Sequence, residues 1–232
     1  MEDWAPLHLV PAKTTVSEMK RILAEEEKGT DDQDELDARA VNLRLKESPD
    51  KWKEGGYSAS QMGTLLHSAW QYIDFAGLLQ AGEQVDWERE LLKLEEYGMI
   101  NKEQAERLVP FTKNMQMFLE SDLCKAMADA ETREESGPYR EIPFALALPN
   151  EKDFSLIQGM IDCWFVDADG DAVLIDYKSD RIAGTPEEKA EVLKDRYAFQ
   201  LEMYEKAIVA ATGKKVKRRV IWLIRDGLSF AI

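Results

Sequence analysis

The chain has 232 residues, 44% of them hydrophobic and 32% charged, with a formal net charge of -15 at pH 7. That length fits one large domain or one domain with appendages, and the apolar content suffices for a real core. The charge excludes general electrostatic attraction to a nucleic-acid backbone; no apolar run reaches the length of a membrane span, and the opening residues do not read as a signal peptide. Two cysteines, Cys124 and Cys163, stand far apart and leave neither a disulfide framework nor a four-cysteine site. A reducing, cytoplasmic setting is therefore expected.

Residues 1–15 carry two prolines and read as an extended lead-in; a helical segment starts at Val16, with Ser17 as its N-cap. That segment dissolves into Asp31, Asp32, Asp34, Glu35 and Asp37, a solvated acidic loop. Residues 1–57 are thus expected to be a lead-in, of the kind a domain cut from a longer chain would show. An amphipathic helix follows at 58–75, capped by Ser58 or Ser60, with Met62, Leu65, Leu66, Ala69, Trp70 and Ile73 on its apolar face. His67 lies within it, where a hydrogen-bonded histidine at the edge of the core is the commoner arrangement. Further helices are predicted at 86–97, 102–108, 111–119 and 122–130, punctuated by Gly98, Asn101, Pro110 and Ser121. This helical block spans 58–130.

At Tyr139 the period changes. Strands are predicted at 140–148, 154–166 and 172–177, then a long helix at 187–211, a strand at 216–224 and a short one after Asp226-Gly227. Helices, a meander, a helix and a strand make an α/β or α+β domain with a mixed sheet flanked by helices, spanning 58–232.

The segment Leu174-Ile175-Asp176-Tyr177-Lys178-Ser179-Asp180 is the centre of that domain. Strand side chains alternate, so Asp176 and Lys178 share one face. From this strand alone, a plain surface ion pair is the simplest reading. The hairpin before it adds more. If Ala168, Asp169 and Gly170 form a three-residue loop, Asp167 faces Asp171, and counting back puts Asp162 opposite Asp176. Like charges placed so destabilise a sheet, and a divalent cation reverses the sign of that interaction. A calcium-binding EF-hand loop is excluded, because Ala172 and Lys178 occupy its required glycine and closing acidic positions.

His67, Asp162, Asp176 and Lys178 together resemble the PD-(D/E)XK nuclease superfamily, in its RecB-like branch. The matching pieces are Gly63-Thr64-Leu65-Leu66-His67, Gly159-Met160-Ile161-Asp162, Asp176-Tyr177-Lys178 and Gln200-Leu201-Glu202-Met203-Tyr204. Flanking segments, Pro11-Ala12-Lys13-Thr14-Thr15-Val16-Ser17-Glu18 and Arg140-Glu141-Ile142-Pro143-Phe144, are similar to the C-terminal nuclease domain of the AddA type. The resemblance implies a restriction-endonuclease-like core. It implies that His67, Asp162 and Asp176 hold Mg²⁺ or Mn²⁺, with the Tyr177 backbone carbonyl as a further ligand. Lys178 would orient or help deprotonate the attacking water, Gln200 and Tyr204 would border the site, and Glu141 would be a neighbouring or additional metal carboxylate. An acidic site loaded with such a cation can engage phosphate despite the chain's charge.

The same resemblance implies hydrolysis of single-stranded DNA at broken ends in recombinational repair, alongside helicase domains of a parent chain and an AddB-like partner protein. The alternative is a docking or DNA-binding module with a vestigial site. No GxxxxGK[ST] phosphate loop is present, so a motor must lie elsewhere, and the four cysteines of the iron–sulfur relatives are missing. Lys214, Lys215, Lys217, Arg218 and Arg219 form a dense basic run, either a DNA backbone contact or the solvated entry to a strand.

Overall fold

The computed structural model describes residues 14–16, 18–21, 56–82, 84–149 and 154–232. The acidic patch, Ser17 and most of the 1–57 lead-in lie outside the described residues. Among the described residues, six strands form one mixed sheet: β1 (Thr14–Thr15), β2 (Tyr139–Pro149), β3 (Phe154–Val166), β4 (Ala172–Lys178), β5 (Val216–Leu223) and β6 (Leu228–Ala231). The meander β2, β3, β4 is antiparallel, β4 and β5 are parallel, and β6 closes antiparallel on β5. Ile157 and Gln158 pair with both β1 and β2, whereas Cys163 and Trp164 pair with both β2 and β4. Strands β1 and β4 therefore succeed one another along a single flank of β3.

The helices described are α1 (Ala59–Tyr72), α2 (Phe75–Ala81), α3 (Trp87–Glu96), α4 (Lys102–Leu108), α5 (Thr112–Glu120), α6 (Asp122–Glu131) and α7 (Pro186–Thr212). Ser58, not Ser60, caps α1, in a reciprocal pair of bonds with Gln61 that satisfies two otherwise orphaned donors. The helix expected over 58–75 stops at Tyr72. Ile73 turns extended, and the Asp74 carboxylate accepts the Gly77 N–H, which starts α2 as a separate helix. Pro110 sits in a 3₁₀ turn, Val109–Phe111, where its missing N–H costs nothing. Helix α7 carries Pro186 in its first turn, a Thr185/Glu188 capping box and a left-handed Gly213 at its end.

Three layers result, with the sheet between α1–α6 and α7. Val173, Ile175 and Tyr177 of β4 pack into the helical block with Trp70, Phe118 and Trp222. Ala172 and Leu174 pack the other way with Leu193, Leu201 and Ile208 of α7. Strand β4 is buried on both faces along most of its length, as befits a strand flanked by parallel and antiparallel neighbours and covered on either side. By the same alternation Asp176 and Lys178 point toward α7. Residues 18–21 are helical, and Lys20 Nζ donates to the carbonyls of Asp195 (2.9 Å) and Arg196 (2.7 Å), fixing that segment on α7 one turn before Gln200.

Candidate active site

The hairpin register is the one obtained by counting. Val166 pairs with Ala172 and Cys163 with Ile175, and the turn closes through Asp167 N–H to the Asp171 carbonyl at 2.8 Å. The ladder ends at Cys163 and Ile175, one step short of Asp162 and Asp176. The Tyr177 N–H, which a continuing ladder would give to β3 backbone, donates instead to Asp162 Oδ2 at 2.8 Å. A gap opens between β3 and β4 at this point. Since N–H and C=O of an extended residue point to the same side, the Tyr177 carbonyl faces that gap as well.

Across β2 the partner position of Asp162 is Glu141, bracketed by the pairs Arg140–Cys163 and Ile142–Ile161. Glu141 has φ +50°, a left-handed conformation that a side chain rarely adopts within a strand. On either side of this pair the facing of both strands changes phase. Tyr139, Ile142 and Phe144 all lie on the α7 side, as do Trp164 and Ile161, although strict alternation would separate them. The local reversal lets the Glu141 and Asp162 carboxylates converge with His67, which reaches over from α1. One ligand atom from each of the three lies within 4.8 Å of the others. His67 Nδ1 is 3.6 Å from Asp162 Oδ2. Together with Gly63, Thr64, Ser68 and Gln71 they line an open cleft of about 380 Å³.

Asp176 stands outside that triplet, on the α7 side of the gap. It is completely buried, and an isolated carboxylate there would cost several kcal/mol. Lys178 Nζ lies 2.7 Å from its Oδ2, and Gln200 Nε2 donates to its Oδ1 at 3.2 Å. The same Gln200 amide lies 2.6 Å from the Tyr204 hydroxyl, so the two α7 residues act as one bracket. The ammonium is thus both the counter-charge and the hydrogen-bond donor that Asp176 Oδ2 faces.

Electrostatics follow from this crowding. Burial first, and then the Asp176 charge, push the Asp162 carboxyl well above the ordinary range, against the pull of Lys178 and the Tyr177 N–H. Burial and the Lys178 charge lower His67, so its imidazole is neutral at pH 7 and free to act as a ligand. Burial alone would lower Lys178, but Asp176 and Asp162 outweigh it and hold the ammonium protonated. Burial raises Glu141. Each carboxylate shift is what a nearby cation would reverse. The residues fit a divalent metal on two grounds: a neutral imidazole with two carboxylates in reach of one point, and a backbone carbonyl facing the gap. Oxygen donors with one imidazole suit Mg²⁺ or Mn²⁺. Cys163, beside Asp162, takes no part, because burial pushes its thiol up to about 12.

The basic run is elsewhere. Lys217 is held by Asp167 and Asp169 at the hairpin tip, and Arg219 by Glu205 and the Ile232 carbonyl. Val216 pairs with Ala172, whereas Lys178 pairs with Leu223 at the other end of the same ladder. The run therefore lies roughly 20 Å along the strand from the lysine of the site. Sequence reasoning overlooked Tyr197, whose ring lies against Lys178, although its place three residues before Gln200 on the same helix face is a usable signal.

Comparison with known proteins is consistent with this geometry. Residues 38–229 match the profile of the PD-(D/E)XK nuclease superfamily. Among curated proteins, the A-type subunit of an ATP-dependent helicase/nuclease from Thermoanaerobacter sp. (strain X514) is 33% identical over 231 residues, covering 94% of this chain and 17% of the relative. The protein of that name from Bacillus velezensis is 31% identical, covering 95% and 18%, and that from Clostridium botulinum (strain Loch Maree / Type A3) 30%, covering 92% and 16%. The chain thus spans less than a fifth of the length of these relatives. A mixed sheet split to seat Asp162 against Asp176 and Lys178, in a segment matched over 38–229, leads to one classification: the chain belongs to the PD-(D/E)XK nuclease superfamily.

Proposed function

We propose that the chain is a divalent-metal-dependent deoxyribonuclease, the nuclease part of a longer helicase–nuclease. Its substrate is single-stranded DNA at broken ends during recombinational repair, in the cytoplasm. The observation that carries this reading is the convergence of His67, Glu141 and Asp162 on one point beside the Asp176–Lys178 pair. The names of the relatives support the helicase attachment, and their designation as one of several subunits supports an AddB-like partner.

His67, Glu141, Asp162, Asp176 and the Tyr177 carbonyl are the residues that would hold Mg²⁺ or Mn²⁺. When bound, such an ion supplies charge neutralisation at the phosphate and lowers the pKa of a water. The protein's own groups do the rest. Lys178, kept protonated by its two carboxylates, offers a fixed positive charge to the oxygens that gain negative charge as water attacks phosphorus and the leaving oxygen departs. Gln200 holds Asp176 from behind, and Tyr204 holds Gln200, so the carboxylate need not reorient during the reaction.

The test is cleavage of an end-labelled single strand by the purified chain with Mn²⁺, Mg²⁺ or chelator. Cleavage is expected only with the ions, and Asp176→Ala and Lys178→Ala should abolish it. Cleavage at the parental rate by both variants would refute the assignment, and failure of the parental chain to bind Mn²⁺ would favour the docking module.

A further inference from the structure

Tyr197, Gln200 and Tyr204 lie on one face of α7, at spacings of three and four residues, and they meet β4 and its continuation in order. Gln200 takes Asp176, whereas Tyr197 takes Lys178 and Asp180. The Lys178 ammonium lies 4.6 Å from the centroid of the Tyr197 ring, and the Tyr197 hydroxyl lies 2.9 and 3.0 Å from the two Asp180 oxygens. Arg196 reaches Asp180 as well, at 3.3 Å.

Three carboxylates, Asp176, Asp162 and Asp180, act on the charge of the Lys178 ammonium, in that order. Asp176 and Asp180 are each two residues from Lys178 in the chain. Asp180 is the better solvated of the two, with a quarter of its side chain exposed. A lysine stem is long and flexible, so nothing in β4 itself fixes which carboxylate it serves. The face of an aromatic ring attracts a cation, most strongly where water is excluded. Burial and the Asp180 charge keep the Tyr197 phenol protonated, so its O–H remains a donor to that carboxylate.

Resting on the nuclease reading above, we propose that Tyr197 is a positioning residue for Lys178: its ring holds the ammonium on Asp176, while its hydroxyl and Arg196 occupy Asp180 and keep that carboxylate from capturing the lysine. Tyr197 touches neither the metal ligands nor the scissile phosphate in this scheme, and it acts only through Lys178.

The experiment compares the full chain with Tyr197→Leu, Tyr197→Phe, Asp180→Asn and Tyr197→Leu/Asp180→Asn. In Mn²⁺-dependent cleavage, Tyr197→Leu is expected to lower kcat by about ten- to thirtyfold, with KM and calorimetric Mn²⁺ affinity changed by less than about twofold. Tyr197→Phe, which keeps the ring, should stay within about threefold of the parent, and removing the competitor Asp180 in the Leu background should restore kcat to about the same level. A merely structural tyrosine would not be rescued at Asp180. Independently of activity, the lysine side-chain signal that disappears in Lys178→Ala should be ring-shifted upfield in ¹⁵N-lysine-labelled parent and Tyr197→Phe, but not in Tyr197→Leu. An unshifted Lys178 signal in the parent, or a kcat loss that Asp180→Asn leaves in place, overturns the proposal. A parent that shows the ring shift but no cleavage overturns the nuclease reading and leaves the placement of Lys178 standing.

Discussion

Glu141 and Asp162 stand opposite each other across β2 and β3, and Glu141 is held there at φ +50°. A left-handed residue with a Cβ is disfavoured by roughly 1–2 kcal/mol, whereas glycine is not. Strain of this kind persists where the surrounding structure fixes it, and here its result is a carboxylate turned toward His67 and Asp162. Urea unfolding should accordingly find Glu141→Gly more stable than Glu141→Ala by about 1 kcal/mol, and calorimetry should find both weaker in Mn²⁺ binding. Equal stability of the two variants would mean that the conformation carries no strain.

Lys178 and Asp176 make one ion pair but have different tasks. Lys178→Met is expected to slow cleavage by at least about 10²-fold, yet to bind Mn²⁺ no less tightly, since it removes a positive charge from beside the site. Asp176→Asn should lose both properties. Loss of Mn²⁺ binding in Lys178→Met would recast the lysine as a strut of the site.

The crowded Asp162 carboxylate, raised by burial and by Asp176, makes the metal-free site locally unfavourable. A cation that binds the folded chain stabilises it by mass action, about 2.7 kcal/mol at a hundred times Kd. For a chain of this size that corresponds to a rise in Tm of roughly 5–10 °C. Scanning calorimetry with saturating Mn²⁺ should show this rise in the parent and not in Asp162→Asn or His67→Ala.

Asp167 organises the hairpin that sets the register. Its Oδ1 accepts the N–H groups of Asp169 (2.9 Å) and Asp171 (3.1 Å), and Lys217 lies 3.3 Å from its Oδ2. Burial works to raise this carboxyl, but the hydrogen bonds from Asp171, Lys217 and Asp169 prevail and hold it below the ordinary carboxylate value. A depressed folded-state pKa contributes stability that is present above the unfolded value, about 3.9, and lost as pH falls through the folded one. Asp167→Ala should therefore cost about 1 kcal/mol at neutral pH. The gap between parent and variant should narrow in unfolding curves taken from pH 5 downward.

The position of Lys214, Lys215 and Arg218 makes substrate length a probe. A stacked strand advances about 3.4 Å per nucleotide, so a contact roughly 20 Å from Lys178 needs about six nucleotides. Replacing the three by alanine should weaken binding of a long single strand and flatten its salt dependence. Turnover of a four-nucleotide substrate should not change. An equal effect on both lengths would rule out a contact at that end of the sheet.

Much of this is legible in the residues alone. The register of β3 on β4 follows from Gly170 and a symmetrical count, because a short hairpin leaves little choice. Alternation along β4 places Asp176 and Lys178 on one face for the same reason. What alternation cannot reveal is the phase change at Glu141, since glutamate carries no preference for a left-handed conformation and nothing nearby announces one. The break after Tyr72 is hidden because Ile73 and Ala76 continue the apolar periodicity of α1, and only the Asp74 carboxylate cap shows that a second helix begins. Strand β1 has two residues, too few for any pattern. The pairing of Glu141 with His67 and Asp162 depends on contacts between distant segments, which local sequence does not encode.

Those two residues of β1 have a consequence beyond geometry. Where β3 parts from β4, the N–H and C=O groups along the vacated edge would face solvent as an open template for another chain. Thr14 and Thr15 cover it at Ile157 and Gln158. A truncation that begins after residue 15 would leave the ligands in place and uncover this edge, and edges of that kind pair with copies of themselves. Removing the lead-in strand is therefore expected to raise self-association at the place where the sheet is split, which light scattering on the truncated chain would read.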